Sequence, residues 1–140
     1  MTGASFEEKS VWIQLGATVL GLGAYFVVAG RMAAAGVTAL PAYVPLFVVA
    51  IVFMVVLVVA GITIAAIASR PEGRDERDRI IEWRAEHNSG WLLAVGVFAA
   101  ITGLIFSIEN VWIAHLLLLS LFLSEVLGFT LRLVYYRRGM

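Results

Sequence analysis

The chain has 140 residues, of which 61% are apolar and 14% charged, with no cysteine and a formal net charge of zero. Soluble domains are about 45–50% apolar and about 25% charged. A water-soluble fold of this length would lack the polar residues to cover its surface, so the bilayer is the expected solvent for most of the chain. Zero net charge excludes a global field that would draw nucleic acid. The lack of cysteine excludes disulfides, thiol catalysis and Cys-ligated metals.

The first ten residues, MTGASFEEKS, are polar and acidic. A secretory signal would begin with a basic stretch ahead of a short apolar core, so the first apolar run is expected to be a retained helix. A spanning helix needs about 20 mostly apolar residues. Four runs approach or exceed that length: Val11 to Gly30, Pro41 to Ser69, Trp91 to Ile108 and Val111 to about Tyr136. Inside lipid every backbone polar group needs an internal partner, which selects helices. Pro41 and Pro45 suit a first helical turn, and Pro71 suits the residues just past a helix end. The expected fold is an all-α membrane protein forming one domain over residues 1–140. It is a four-transmembrane-helix bundle with a short charged cytoplasmic helix between helices two and three, or with that segment as a cytoplasmic extension of helix three.

That charged segment, GRDERDRIIEWRAEHNSG, spans residues 73–90. Eleven of the chain's twenty charged residues lie between Arg70 and Glu86: five arginines and six acids. Asp75 is the expected N-cap. Opposite charges at helical spacing pair Arg74 with Asp78, Asp75 with Arg79, and Arg79 with Glu82. Slight acidity argues against a polybasic lipid anchor. Two readings stay open: a solvated connector that enforces topology, or a docking surface for a soluble protein. The docking residues would be Asp75, Glu76, Arg77, Asp78, Arg79, Glu82 and Arg84. Orientation follows Lys and Arg rather than net charge. Nine of the ten fall before helix one, between helices two and three, or at the end of helix four; only Arg31 falls elsewhere. Both termini and the charged segment are therefore expected on the cytoplasmic side of the inner membrane. Trp12, Trp83, Trp91, Trp112, Tyr43, Tyr135 and Tyr136 fall near the expected boundaries, where amphipathic rings prefer to sit.

Between lipid-embedded helices, small residues mark close approach. Helix one carries Gly16, Gly23 and Gly30 seven apart; helix four carries Ser120, Ser124 and Gly128 four apart. Both stripes are expected to pack inside the bundle, with a homodimer as the alternative. Glu125 is the acid placed well inside a span, and an intramembrane ionisable group is a functional candidate by default. Gln14, Thr18, Ser124 and Arg132 are its expected partners. It is read either as an interhelical hydrogen bond or as a proton- or cation-coupled site in a small oligomeric transporter or channel. His115 and His87 lie at opposite membrane faces, so a bis-His haem is not expected. His115 is read as a hydrogen-bonded packing residue. No phosphate loop, nucleophile elbow, HExxH or paired-carboxylate motif is present. No catalysis, metal or cofactor is expected.

The start SFEEKSVWIQL, the centre DERDRIIEWRAEHNSGWLLAVG and the end VWIAHLLLLSLFLSEVLGFTLRLVYYRRG resemble a class of small four-helix bacterial membrane proteins. That class is grouped as a domain of unknown function, with an EKS-x-W-I start, a DERDR motif between helices two and three and a YRRG tail. Its members are often encoded beside small helix-turn-helix regulators. The resemblance therefore implies that Asp75, Glu76, Arg77, Asp78 and Arg79 serve a regulator or a regulated membrane response. The expected function is a non-enzymatic interaction or regulatory-partner protein acting through residues 74–86. The alternatives are the transporter above and a lipid-binding or membrane-stress sensor. Expected partners are the bilayer, a soluble cytoplasmic protein and a second copy of the chain, without direct nucleic acid binding.

Overall fold

A computed structural model describes residues 6–68 and 76–138. It contains α1 (Phe6–Ala34), a 3-10 turn (Leu40–Tyr43), α2 (Val44–Ala68), α3 (Glu76–Ile105) and α4 (Asn110–Arg138). All four helices are long and apolar enough to cross a membrane. At 1.5 Å per residue they run about 38–45 Å, against a hydrocarbon core of about 30 Å. In α1, α3 and α4 the excess is polar sequence, as in α1, which begins with Glu7 and Glu8 in its first turn, where the helix dipole favours acids; α2 is apolar throughout.

Of the two expected forms of the charged segment, the structure shows the extension of helix three and not a separate short helix. Residues 76–90 form the first four turns of the 30-residue α3, which runs through Asn88, Ser89 and Gly90 without interruption. Ser89 is buried against α4, and tertiary packing outweighs the weak helix propensity of Asn, Ser and Gly. The expected cap at Asp75, the pairs of Arg74 and Asp75, and the breaker Pro71 lie outside the described residues. Tyr43, expected near a boundary, lies in the turn between α1 and α2 with its ring inward: it is 2% exposed and joins Tyr25, Ala29, Ala50 and Val111 in the core cluster.

The helix ends are closed locally. After α1, Gly36 adopts φ +89° while the Val37 N–H donates to the Met32 carbonyl at 3.0 Å. This is the six-to-one bond of a Schellman cap, whose left-handed residue is usually glycine. The same bond closes α3, from Ile108 N–H to the Gly103 carbonyl at 3.0 Å, but with Ser107 at φ 58°.

The helices pack as α1 on α2, α1 on α4 and α3 on α4. Their spatial order is thus α2–α1–α4–α3, and α2 and α3 at the two ends barely touch. Three of the four side-by-side seams of the expected bundle are therefore packed, and the fourth, between α2 and α3, is open. Ala50 is the one fully buried residue of α2, so this helix packs along one side on α1 and presents most of its surface outward. Small residues set the seams. A Cβ at Gly96 would collide with Ser120, and one at Gly128 would come within 3.1 Å of Ser89 Oγ. Ser124 Oγ donates to the Ser89 carbonyl at 3.1 Å. The helix-four stripe therefore lies in the α3–α4 seam. In the α1–α2 seam a Cβ at Gly21 would strike Met54, and one at Gly61 would come within 2.7 Å of Ile13. The expected stripe Gly16, Gly23 and Gly30 lies in no seam, because nothing comes near a Cβ at any of the three. Seven-residue spacing identifies a common face but not which face is packed. The packed face of α1 carries Ala17, Thr18, Gly21, Leu22, Tyr25 and Ala29.

Candidate functional site

Side chains that bear chemistry gather at two places. The first is the end where α1 and α3 begin and α4 finishes. Every described Lys and Arg except Arg31 lies there. Arg132 Nη2 meets Glu82 Oε1 at 2.7 Å and Glu86 Oε1 at 3.8 Å. The Tyr136 hydroxyl donates to Asp78 Oδ1 at 2.5 Å. Arg77 donates to the Tyr136 carbonyl at 3.1 Å and holds its guanidinium 5.6 Å from the Tyr136 ring centroid. Arg137 Nε lies 3.4 Å from Glu8 Oε2, and Asn88 donates to the Tyr135 hydroxyl at 2.8 Å.

These bonds divide the charged segment lengthwise. Asp78, Ile81, Glu82, Ala85 and Ser89 face inward, with Ile81 and Ala85 at 0% exposure. Glu76, Arg77, Arg79, Arg84, Ile80 and Trp83 face out. Trp83 is 65% exposed and stacks on His87 with ring centroids 5.6 Å apart. Of the expected docking residues, Asp78 and Glu82 are thus held by α4, and Asp75 lies outside the described residues.

Glu125 does not gather its expected partners. It is exposed in a shallow groove between α3 and α4, beside Glu86, Gly90 and Phe129. No hydrogen bond or ion pair joins it to another described residue. Gln14 donates instead to Ser10 Oγ at 3.1 Å, Ser124 to the Ser89 carbonyl, and Arg132 to Glu82. Thr18 is buried on the packed face of α1. Arg132 and Glu125 share the groove, but Arg132 is seven residues along α4 and finds carboxylates on α3 first.

The second place is near the opposite end. A cleft of about 580 Å³ opens beside the start of α2, with walls from Val44, Phe47, Leu93, Leu117, Leu118 and Leu121. It exists because α2 and α3 do not close on each other. Tyr25, Tyr43 and His115 also line it. His115 Nε2 lies 2.7 Å from the Tyr25 hydroxyl, and its Nδ1 lies 2.7 Å from the Val111 carbonyl. The Tyr25 and His115 rings stack at 14°, and Tyr43 meets the imidazole edge-on at 4.7 Å. The Tyr43 hydroxyl donates to the Val37 carbonyl at 2.7 Å. Buried hydroxyls and imidazoles require such partners. Tyr25 is not among the expected site residues; a tyrosine in an apolar span is the signal that could have marked a polar node here. Its partner on α4 lies 90 positions away, which spacing along one helix does not reveal. Such a node is suited to orienting a bound apolar molecule.

Among the described residues, no group of three or more His, Asp or Glu is placed to hold a metal ion. No protein-family model, characterised protein or solved structure matches the chain.

Proposed function

We propose that this is a non-enzymatic, multi-pass inner-membrane protein that holds an apolar ligand in the cleft beside α2. One observation carries the reading: a cleft of about 580 Å³, walled by aliphatic and aromatic side chains, with one polar node at Tyr25, Tyr43 and His115. Ligand sites are typically about 300–1,000 Å³, mostly apolar, with a few placed polar groups. The end bearing both termini faces the cytoplasm, as the clustering of Lys and Arg at that end supports. The cleft then lies in the outer half of the bilayer and opens toward lipid. The test is photo-crosslinking with a diazirine-bearing long-chain lipid, comparing the native chain with a variant that fills the cleft, Ala114→Trp, since Ala114 lines it. Modified peptides should map to cleft residues and vanish in the filled variant. Labelling that is unchanged by Ala114→Trp would overturn the reading.

A second reading rests on the outward side of the charged segment. It presents Glu76, Arg79, Ile80 and Trp83 around one hollow, while its inward side is anchored to α4. An exposed tryptophan on a rigid support is the kind of group that anchors protein interfaces, and the DERDR resemblance implies a regulator. Trp83→Ala with Arg79→Glu should then leave the fold intact and abolish capture of a cytoplasmic partner.

A further inference from the structure

We propose that the cleft selects apolar molecules that carry a hydrogen-bond donor, a long-chain or polycyclic alcohol, over the same skeleton ending in an ether or ketone. The inference rests on the cleft being a ligand site and adds the chemistry that the site recognises.

The argument follows the protons. A backbone carbonyl can only accept, so the contact from His115 Nδ1 to the Val111 oxygen at 2.7 Å places a proton on Nδ1. In the neutral ring Nε2 then carries a lone pair, and the Tyr25 hydroxyl at 2.7 Å must donate to it. The Tyr43 hydroxyl is likewise directed to the Val37 carbonyl at 2.7 Å. Every proton on the three polar side chains lining the cleft is therefore committed within the protein. What Tyr25 and Tyr43 have left is oxygen lone pairs. The rest of the wall, Val44, Phe47, Leu93 and Leu121 among it, is aliphatic or aromatic and offers no side-chain donor or acceptor. A ligand hydroxyl can donate to a phenolic oxygen without breaking any internal bond. An ether or ketone finds no proton unless Tyr25 or Tyr43 gives up its partner, which would leave a buried acceptor unsatisfied. Sites with fixed polar complementarity discriminate in this way.

The experiment uses the full chain in phosphatidylcholine nanodiscs, crosslinked with a diazirine analogue of geranylgeraniol. Unlabelled geranylgeraniol, its methyl ether and geranylgeranylacetone serve as competitors. The alcohol should compete about tenfold better than the ether or ketone, as one net hydrogen bond implies. His115→Phe removes the acceptor for Tyr25 and frees its proton. This variant should lose the preference and gain affinity for the ketone. Tyr43→Phe removes one acceptor oxygen and should weaken the alcohol alone. Equal competition by all three molecules on the native chain would overturn the selectivity while leaving the cleft a ligand site. Crosslinks that map only outside the cleft would overturn the ligand site and the selectivity together.

Discussion

Glu125 shows what a single residue can and cannot declare from its position. An acid inside a span is costly, and by translocon scales a carboxylate at the helix centre costs about 2.5–3.5 kcal/mol. The sequence puts this acid inside an apolar run long enough to cross a membrane, and the structure puts it on the outside of α4 with no partner among the described residues. Glu125→Leu should therefore stabilise the protein in nanodiscs by about 1–3 kcal/mol, read as a higher unfolding midpoint. A lower midpoint, or loss of proton-linked flux in liposomes, would instead favour the transport reading. Arg132 is the opposite case, because its charge is used. Arg132→Met leaves the half-buried Glu82 without its 2.7 Å partner and should cost about 1–3 kcal/mol, discounted for partial exposure. Adding Glu82→Gln should recover part of the loss in a double-mutant cycle.

At the scale of elements, helix length and order follow from run length, but helix rotation does not. Gly96 and Gly23 look alike in sequence, each a glycine in an apolar run. Gly96 is the point where α3 touches Ser120, whereas Gly23 faces open space. Gly96→Val should destabilise the α3–α4 hairpin by about 1–3 kcal/mol through overpacking. Gly23→Ala should be neutral or stabilising by up to about 1 kcal/mol, as the helix propensity difference allows. Thermal unfolding of both variants in the same lipid checks the contrast. The charged segment teaches the same lesson. Its spacing declares a helix, and the structure extends that helix into α3. The face it buries is marked by Ile81 and Ala85 at full burial, and its acids there meet Arg132 and Tyr136 from α4.

The whole molecule is two hairpins joined through α1 and α4, with α2 and α3 at the edges. That order leaves the cleft open beside α2 and the polar network at the other end. The absence of cysteine makes orientation directly measurable. Ser107→Cys, in the loop between α3 and α4, should react with a membrane-impermeant maleimide on intact cells. Arg84→Cys, on the exposed side of the charged segment, should react only after permeabilisation. The reverse pattern would move the cleft to the inner half of the bilayer.

Apolar content, run length and charge clustering are properties of the chain by itself. They determine four membrane-length helices, with every described Lys and Arg except Arg31 at one end. They also placed Ser120, Ser124 and Gly128 on one face of α4, which the structure packs against α3. Only the tertiary structure decided that Gly21, not Gly16, Gly23 or Gly30, is the contact glycine of α1. It alone paired Arg132 with Glu82 in place of Glu125, and brought Tyr25 to His115. The physical reason is that these helices are apolar nearly all round. In water an apolar stripe marks the buried side of a helix. In lipid both sides are apolar, and packing is settled by shape and a few polar contacts between distant residues.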